Sequence, residues 1–238
     1  MKICNPFRLL SKFERGLWLA SVAVVIGSFL MGKQLSLLTL VASLIGITAL
    51  IFVAKGNVLG QILTIVFSLL YSVISLQFQY YGEMITYLGM TTPMAALSVY
   101  SWLQHPFEQG KSEVEVAQLN KRQVARMIFF TVVVTAVFYY ILRFFNTANL
   151  TVSTISITTS FVASYLTYCR SSAYALAYAA NDIVLIVLWV LAAKQDASYL
   201  PMVICFTMFF CNDMYGFFNW SRIRETQRLK QLCVTEVD

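Results

Sequence analysis

Charge is scarce in this sequence. Only 12% of its residues are Asp, Glu, Lys or Arg, against about 25% in an average soluble domain. It has one histidine, His105, and five cysteines (Cys4, Cys169, Cys205, Cys211, Cys233) that form no CxxC pair. Those residues supply no metal-ligand set of ordinary spacing, and an odd cysteine count does not suit a closed disulfide framework. HExxH, GxSxG and a glycine-rich phosphate loop are missing too. The usual signs of a metalloprotease, a serine hydrolase or a nucleotide-binding enzyme are thus lacking. The sequence reads as a non-enzyme, with no catalytic residues, no cofactor and no metal.

What is present is apolar surface. The chain of 238 residues is 59% hydrophobic, and that excess comes in runs of about twenty residues. A helix of that length crosses the roughly 30 Å hydrocarbon layer. Lipid leaves backbone polar groups unsatisfied, so the runs must be helices or a closed barrel, and continuous rather than alternating apolarity excludes the barrel. The fold class expected is an all-α polytopic membrane protein. Eight spans are expected, at about 16–31, 35–54, 58–78, 84–103, 127–145, 150–169, 174–193 and 199–220. The first follows Lys2, Arg8, Lys12 and Arg15 and could pass for a signal peptide, but no small-x-small cleavage site comes after it. It reads as a retained helix.

The net charge is +6. The basic residues sit at the ends of apolar runs, so they read as topology determinants and not as a nucleic-acid surface. With the N-terminus inside, fourteen Lys and Arg fall inside and three (Lys33, Arg143, Lys194) outside. Both termini are expected to be cytoplasmic. The long inner loop at about 104–126 carries EQGKSEVEVAQLNKR, which suits a short surface helix or a solvated loop.

Sliding the sequence on itself by 118 residues sets Trp102 on Trp220 and Tyr71 on Trp189. Spans 2–4 and 6–8 then form two triplets running in the same direction, joined by span 5. This is a 3+1+3 parallel repeat with one extra N-terminal transmembrane helix. The organisation expected is 1–34 (N-terminal segment and extra helix), 35–103 (first repeat), 104–149 (loop and linker helix), 150–220 (second repeat) and 221–238 (basic tail).

Two of the spans carry a polar pair: Asn181-Asp182 and Asn212-Asp213. An Asp at a helix centre costs about 2.5–3.5 kcal/mol on insertion scales, so such pairs belong inside the bundle. Counted from the outer ends, Asn181 and Asn212 both lie about 20 Å deep. Tyr174, Tyr178 and Asn181 share a helical stripe, as do Asn212 and Tyr215, and Trp189 lies seven residues after Asp182. Gln61, Thr64, Tyr71 and Thr91-Thr92 are the first triplet's polar contribution. Carboxamides offer donors and an acceptor, and rings beside a carboxylate suit a flat or cationic ligand. Two readings stand: a solute pathway, or hydrogen bonding between helices. Pro93 is a candidate hinge in span 4.

AYAANDIVLIVLW at 177–189, SYLPMVICF at 198–206 and NDMYGFFNW at 212–220 resemble the second-half signature of PnuC-type nicotinamide riboside transporters. KGNVLG at 55–60 with Gln61, and YYGE at 80–83, are similar to its first half. The resemblance implies a SWEET-like bundle, a bacterial inner-membrane location and a homo-oligomer, a trimer. It also implies uptake of nicotinamide riboside by facilitated diffusion, with trapping by a separate kinase. On that footing the substrate-binding candidates are Gln61, Tyr71, Tyr174, Tyr178, Asn181, Asp182, Trp189, Asn212, Asp213 and Tyr215. A carrier of another vitamin, a nucleoside or a sugar, including a proton-coupled one using Asp182 or Asp213, is the alternative.

Overall fold

The computed structural model describes residues 6–31, 36–77, 80–108, 112–147 and 149–235; Lys2, Cys4, Lys33 and Lys111 lie outside them. Among the described residues the chain is helical. After a 3-10 turn at Pro6–Leu9 come α1 (Lys12–Met31), α2 (Leu37–Ala54), α3 (Val58–Gln77) and α4 (Tyr81–Thr86). A π turn at Tyr87–Thr91 leads into α5 (Thr92–Gln104). Next are α6 (Lys121–Phe144), α7 (Leu150–Tyr168), α8 (Tyr174–Ala193) and, after a 3-10 turn at Ala197–Tyr199, α9 (Leu200–Thr235).

Seven of these helices are long and apolar enough to cross a membrane. The remaining expected span, 84–103, is helical throughout but interrupted, because α4, the π turn and α5 follow one another without a gap. The interruption has a local cause. Pro93 has no N–H to give to the preceding turn, and the Thr92 N–H reaches back five residues to the Tyr87 carbonyl. The Thr92 hydroxyl donates to the same carbonyl at 2.9 Å. The strain of the proline is thus absorbed as a π turn.

Successive long helices run antiparallel, with α4, the π turn and α5 together making one of them. One end of the bundle, the basic end, holds the turn at 55–57, the described parts of the 105–120 segment and the 169–173 turn; the far end holds 145–147 and the 194–199 turn. Gly56 makes the 55–57 turn at φ +64, where a side chain would be strained. The described parts of segment 105–120, at 105–108 and 112–120, are neither helical nor free. They form a strap that doubles back on itself through the antiparallel bridge Pro106↔Val114 and is pinned to the 55–57 turn by the bridge Asn57↔Glu113 and by Val114 N–H donating to the Gly56 carbonyl at 2.9 Å. The last part of the region expected as loop, from Lys121 onward, belongs to α6, started by an Asn120 capping box.

The chain beyond 220, expected as a tail, continues α9 as one 36-residue helix. Its extension holds the strap. Gln227 accepts from the Val116 N–H at 2.8 Å and donates to Glu113 and to the Val114 carbonyl. Arg224 donates to Ser172, and Lys230 pairs with the half-buried Glu108. In the turn before α8, Arg170 adopts φ 58 and its carbonyl accepts from the Ala117 N–H. Burial pulls its guanidinium below the usual arginine value.

α2 packs on α3, α7 on α8, α8 on α9, and α2 also meets α9 as α7 meets α5. α6 touches mainly α7, and almost none of it is buried. α1 lies against α2 and α9. Its Glu14, 1% exposed, accepts from the Tyr215 hydroxyl at 2.7 Å and from the Ser11 N–H, and pairs with Lys55 at 3.3 Å. Removing one partner of such a buried ion pair is strongly destabilising, so α1 is held firmly at this point.

Candidate substrate-binding site

The bundle encloses a cavity of about 60 Å³ between α2, α3, the π turn, α7, α8 and α9. Each helix brings small or polar groups to it. Gly46 lies on α2 where any Cβ would run into the rings of Phe209 and Phe67. Glycine at this point lets two phenylalanines cover the cavity.

The polar groups are unevenly satisfied. Asn181 lines the cavity, and its Oδ1 accepts from the Thr159 hydroxyl at 2.8 Å. The single Thr159 hydroxyl proton also has the Ile155 and Ser156 carbonyls within 3.0 Å, and the Asn181 NH2 has no partner among the described residues. Gln61, 4% exposed and also in the lining, has no hydrogen bond among the described residues. Two buried amides thus keep donor or acceptor capacity that a folded interior normally uses up. Asp182 and Asp213 bring their carboxyls together across α8 and α9, and Asp182 Oδ2 has no hydrogen-bond partner. Tyr174, Tyr178 and Tyr87 supply ring faces, with the Tyr178 hydroxyl 3.1 Å from Ser164.

Six of the ten candidate residues therefore meet at one cavity: Gln61, Tyr174, Tyr178, Asn181, Asp182 and Asp213. The other four do not line it. Asn212 donates to Ser21 of α1 at 3.0 Å and to the Met208 carbonyl. Successive helical residues are about 100° apart, so when Asp213 faces the cavity Asn212 turns to α1. Tyr215 is likewise engaged with Glu14. Tyr71 and Trp189 are fully buried, and the Trp189 Nε1–H donates to the Tyr71 hydroxyl at 3.0 Å. They sit toward the far end, next to Phe206 and Tyr87, as part of a covering aromatic layer.

A second aromatic layer lies at the basic end. Trp102 and Trp220 are in contact at 5.5 Å between ring centres, with Tyr174 against Trp220. The Trp102 Nε1–H donates to the Thr167 carbonyl at the end of α7, and Trp220 does the same to Val53 at the end of α2. The cavity lies between the two layers. Lining residues that the sequence did not single out include Phe67, Tyr87, Phe206 and Phe209. Their apolarity is shared by every lipid-facing residue, so composition carried no signal for them.

The sequence profile of the family described as "Nicotinamide mononucleotide transporter" matches residues 36–222. The chain belongs to that family. The matched span contains all ten candidates, the cavity and both aromatic layers, whereas α1 precedes it. Within this transporter family, the chain is similar to the nicotinamide riboside transporter PnuC of Neisseria mucosa, with 28% identity over 79% of this chain and 73% of that protein. It is similar also to that of Haemophilus influenzae, with 22% identity over 79% and 80%. A solved structure described as the crystal structure of the vitamin B3 transporter PnuC matches with a TM-score of 0.79 at 26% identity. It covers 92% of this chain and 94% of that one.

Proposed function

We propose that this family member carries nicotinamide riboside across the bacterial cell membrane by facilitated diffusion with alternating access. The observation that carries the reading is the pair of underused buried amides, Gln61 and Asn181, facing one cavity beside two carboxyls and three tyrosine rings. Nicotinamide riboside presents a flat cationic ring, a carboxamide and a ribose. Gln61 and Asn181 bond the carboxamide or ribose hydroxyls, Tyr174, Tyr178 and Tyr87 enclose the ring, and Asp182 with Asp213 offsets its charge. No bond is made or broken.

A drug-sized ligand needs a pocket of about 300 Å³ or more, so the 60 Å³ cavity widens when the riboside enters. Parting of Phe67 and Phe209 over Gly46 supplies the room. The 3+1+3 arrangement gives the motion its symmetry. Residues on a two-fold axis touch their own equivalents, and both axial pairs, Tyr71 with Trp189 and Trp102 with Trp220, are separated by 118 positions. The helix contacts also exchange as such an axis requires, α2 with α9 matching α7 with α5. Rocking of the SWEET-like triplets opens the Tyr71–Trp189 layer outward and the Trp102–Trp220 layer inward by turns. The π turn before Pro93 is the flexible point. By the positive-inside rule the basic end and both termini are cytoplasmic. Lipid or further copies in a homotrimer cover the apolar faces of α6.

Calorimetric titration of the purified protein with nicotinamide riboside, thiamine, a nucleoside and a simple sugar tests the reading. The riboside binds, and Asn181→Ala or Gln61→Ala weakens it about tenfold or more, the worth of one or two buried hydrogen bonds. Binding of a different ligand with the riboside inert would overturn the substrate, and indifference to both substitutions would overturn the site.

A further inference from the structure

Glu83 takes no part in the cavity, yet it is 2% exposed and its Oε2 has no hydrogen-bond partner. Among the described residues no ion pair reaches it. Leaving a carboxyl unpaired in the interior costs several kcal/mol, and an intramembrane ionisable group is functional by default. Its surroundings are aromatic. The phenols of Tyr71, Tyr80 and Tyr87 all lie within electrostatic reach of it. The Tyr71 and Tyr87 rings touch at 4.3 Å. Glu83 lies one helical turn before Tyr87, and Ser75, whose hydroxyl is also buried and unpartnered, lies one turn after Tyr71. Since α3 and α4 run antiparallel, both orphan groups sit one turn outside the Tyr71–Tyr87 contact, beyond the cavity's cover. Tyr80 extends the aromatic wall, with its ring 5.1 Å from Trp189 and 6.0 Å from Tyr199.

We propose that Glu83, set among Tyr71, Tyr80 and Tyr87, is an outer recognition site that selects substrates carrying a positively charged aromatic ring before they reach the cavity. An inorganic cation would call for several oxygen ligands, whereas rings around a single carboxylate fit an organic cation. An entering ligand meets Glu83 before the cavity, because Glu83 lies on the outer side of the Tyr71–Trp189 layer, and movement of Tyr80 away from Trp189 and Tyr199 opens the way to it. The cation then passes from Glu83 to the Asp182–Asp213 pair. Glu83 is thus a specificity residue for entry, separate from the groups that hold the occluded ligand. This inference rests on the transport reading given above.

The test compares nicotinamide riboside with its uncharged 1,4-dihydro form, which keeps the carboxamide and ribose but lacks the positive ring. Uptake of each is measured in cells expressing the full chain. Glu83→Gln raises the KM for the cationic riboside about tenfold and leaves that for the dihydro form within twofold. Glu83→Asp restores much of the loss, and Tyr80→Leu has the same charge-selective effect if the glutamine variant fails to accumulate in the membrane. Asn181→Ala, a cavity substitution, weakens both ligands alike. An equal loss for both ligands in Glu83→Gln would overturn the proposal. So would no loss for either, or a loss that follows the proton or sodium gradient instead of ligand charge. Failure of the unmodified chain to take up the riboside would refute the transport reading itself.

Discussion

Replacing Tyr71 by Phe removes one oxygen atom and leaves the Trp189 Nε1–H, 3.0 Å away in a fully buried layer, without its acceptor. In the closed arrangement the stranded donor costs about 1–3 kcal/mol; once the layer parts, water satisfies it. The substitution therefore penalises closure more than opening. A bias of 1–3 kcal/mol is a factor of about 5–150 in the population of the open form. The chain carries its own reporter. Cys205 is 1% exposed and packs in the same cluster as Tyr71 and Trp189. A membrane-impermeant thiol reagent added from outside should label Cys205 about 5–150 times faster in Tyr71→Phe than in the unmodified chain, as read by site-resolved mass spectrometry. The double variant Tyr71→Phe with Trp189→Phe, which removes the stranded donor, should fall back toward the starting rate. An unchanged rate, or an equal rise with reagent on the other side, would refute the idea that this pair closes the outer face.

Gly46→Ala should weaken riboside binding at least tenfold in calorimetry, since its Cβ meets Phe209 and Phe67, and should cost about 1–3 kcal/mol of stability through overpacking. Tyr215→Phe should lower the melting temperature in detergent while transport persists, because it removes one of several bonds that hold Glu14 of α1; lost binding would return Tyr215 to the site. Gln227→Ala removes three hydrogen bonds to the strap, worth about 0.5–1.5 kcal/mol each. Limited proteolysis within 105–120 should then become several times faster with riboside affinity unchanged.

Most of the bundle was legible because lipid imposes a simple rule on the sequence. The expected span 174–193 coincides with α8, and the expected span starting at 58 begins where α3 does. The 118-residue offset, read from two aromatic alignments, corresponds to two real contacts. The polar pairs do come together in part, since Asn181, Asp182 and Asp213 line one cavity. Direction around a helix was not legible. Asn212 and Asp213 are sequence neighbours of similar polarity, and which of them faces the cavity depends on where α1 packs; α1 supplies Ser21 to Asn212 and Glu14 to Tyr215. The phenylalanine cover was invisible for a different reason. An apolar residue facing lipid and one covering a cavity meet the same selection for hydrophobicity, and only the glycine opposite them marks the difference.

The length of α9 has a mechanical consequence. From Asp213, at the cavity, to Gln227, on the strap, the helix runs about 21 Å as a single rod. A tilt of about 10° about the cavity would swing Gln227 by about 4 Å, beyond the reach of its three hydrogen bonds. On the rocking motion proposed above, the strap would act as a detent, holding the lever at one angle until the leverage exceeds what those bonds resist. The resistance to that motion would then be set partly at a joint about 21 Å along the helix from the cavity, among residues that do not line it.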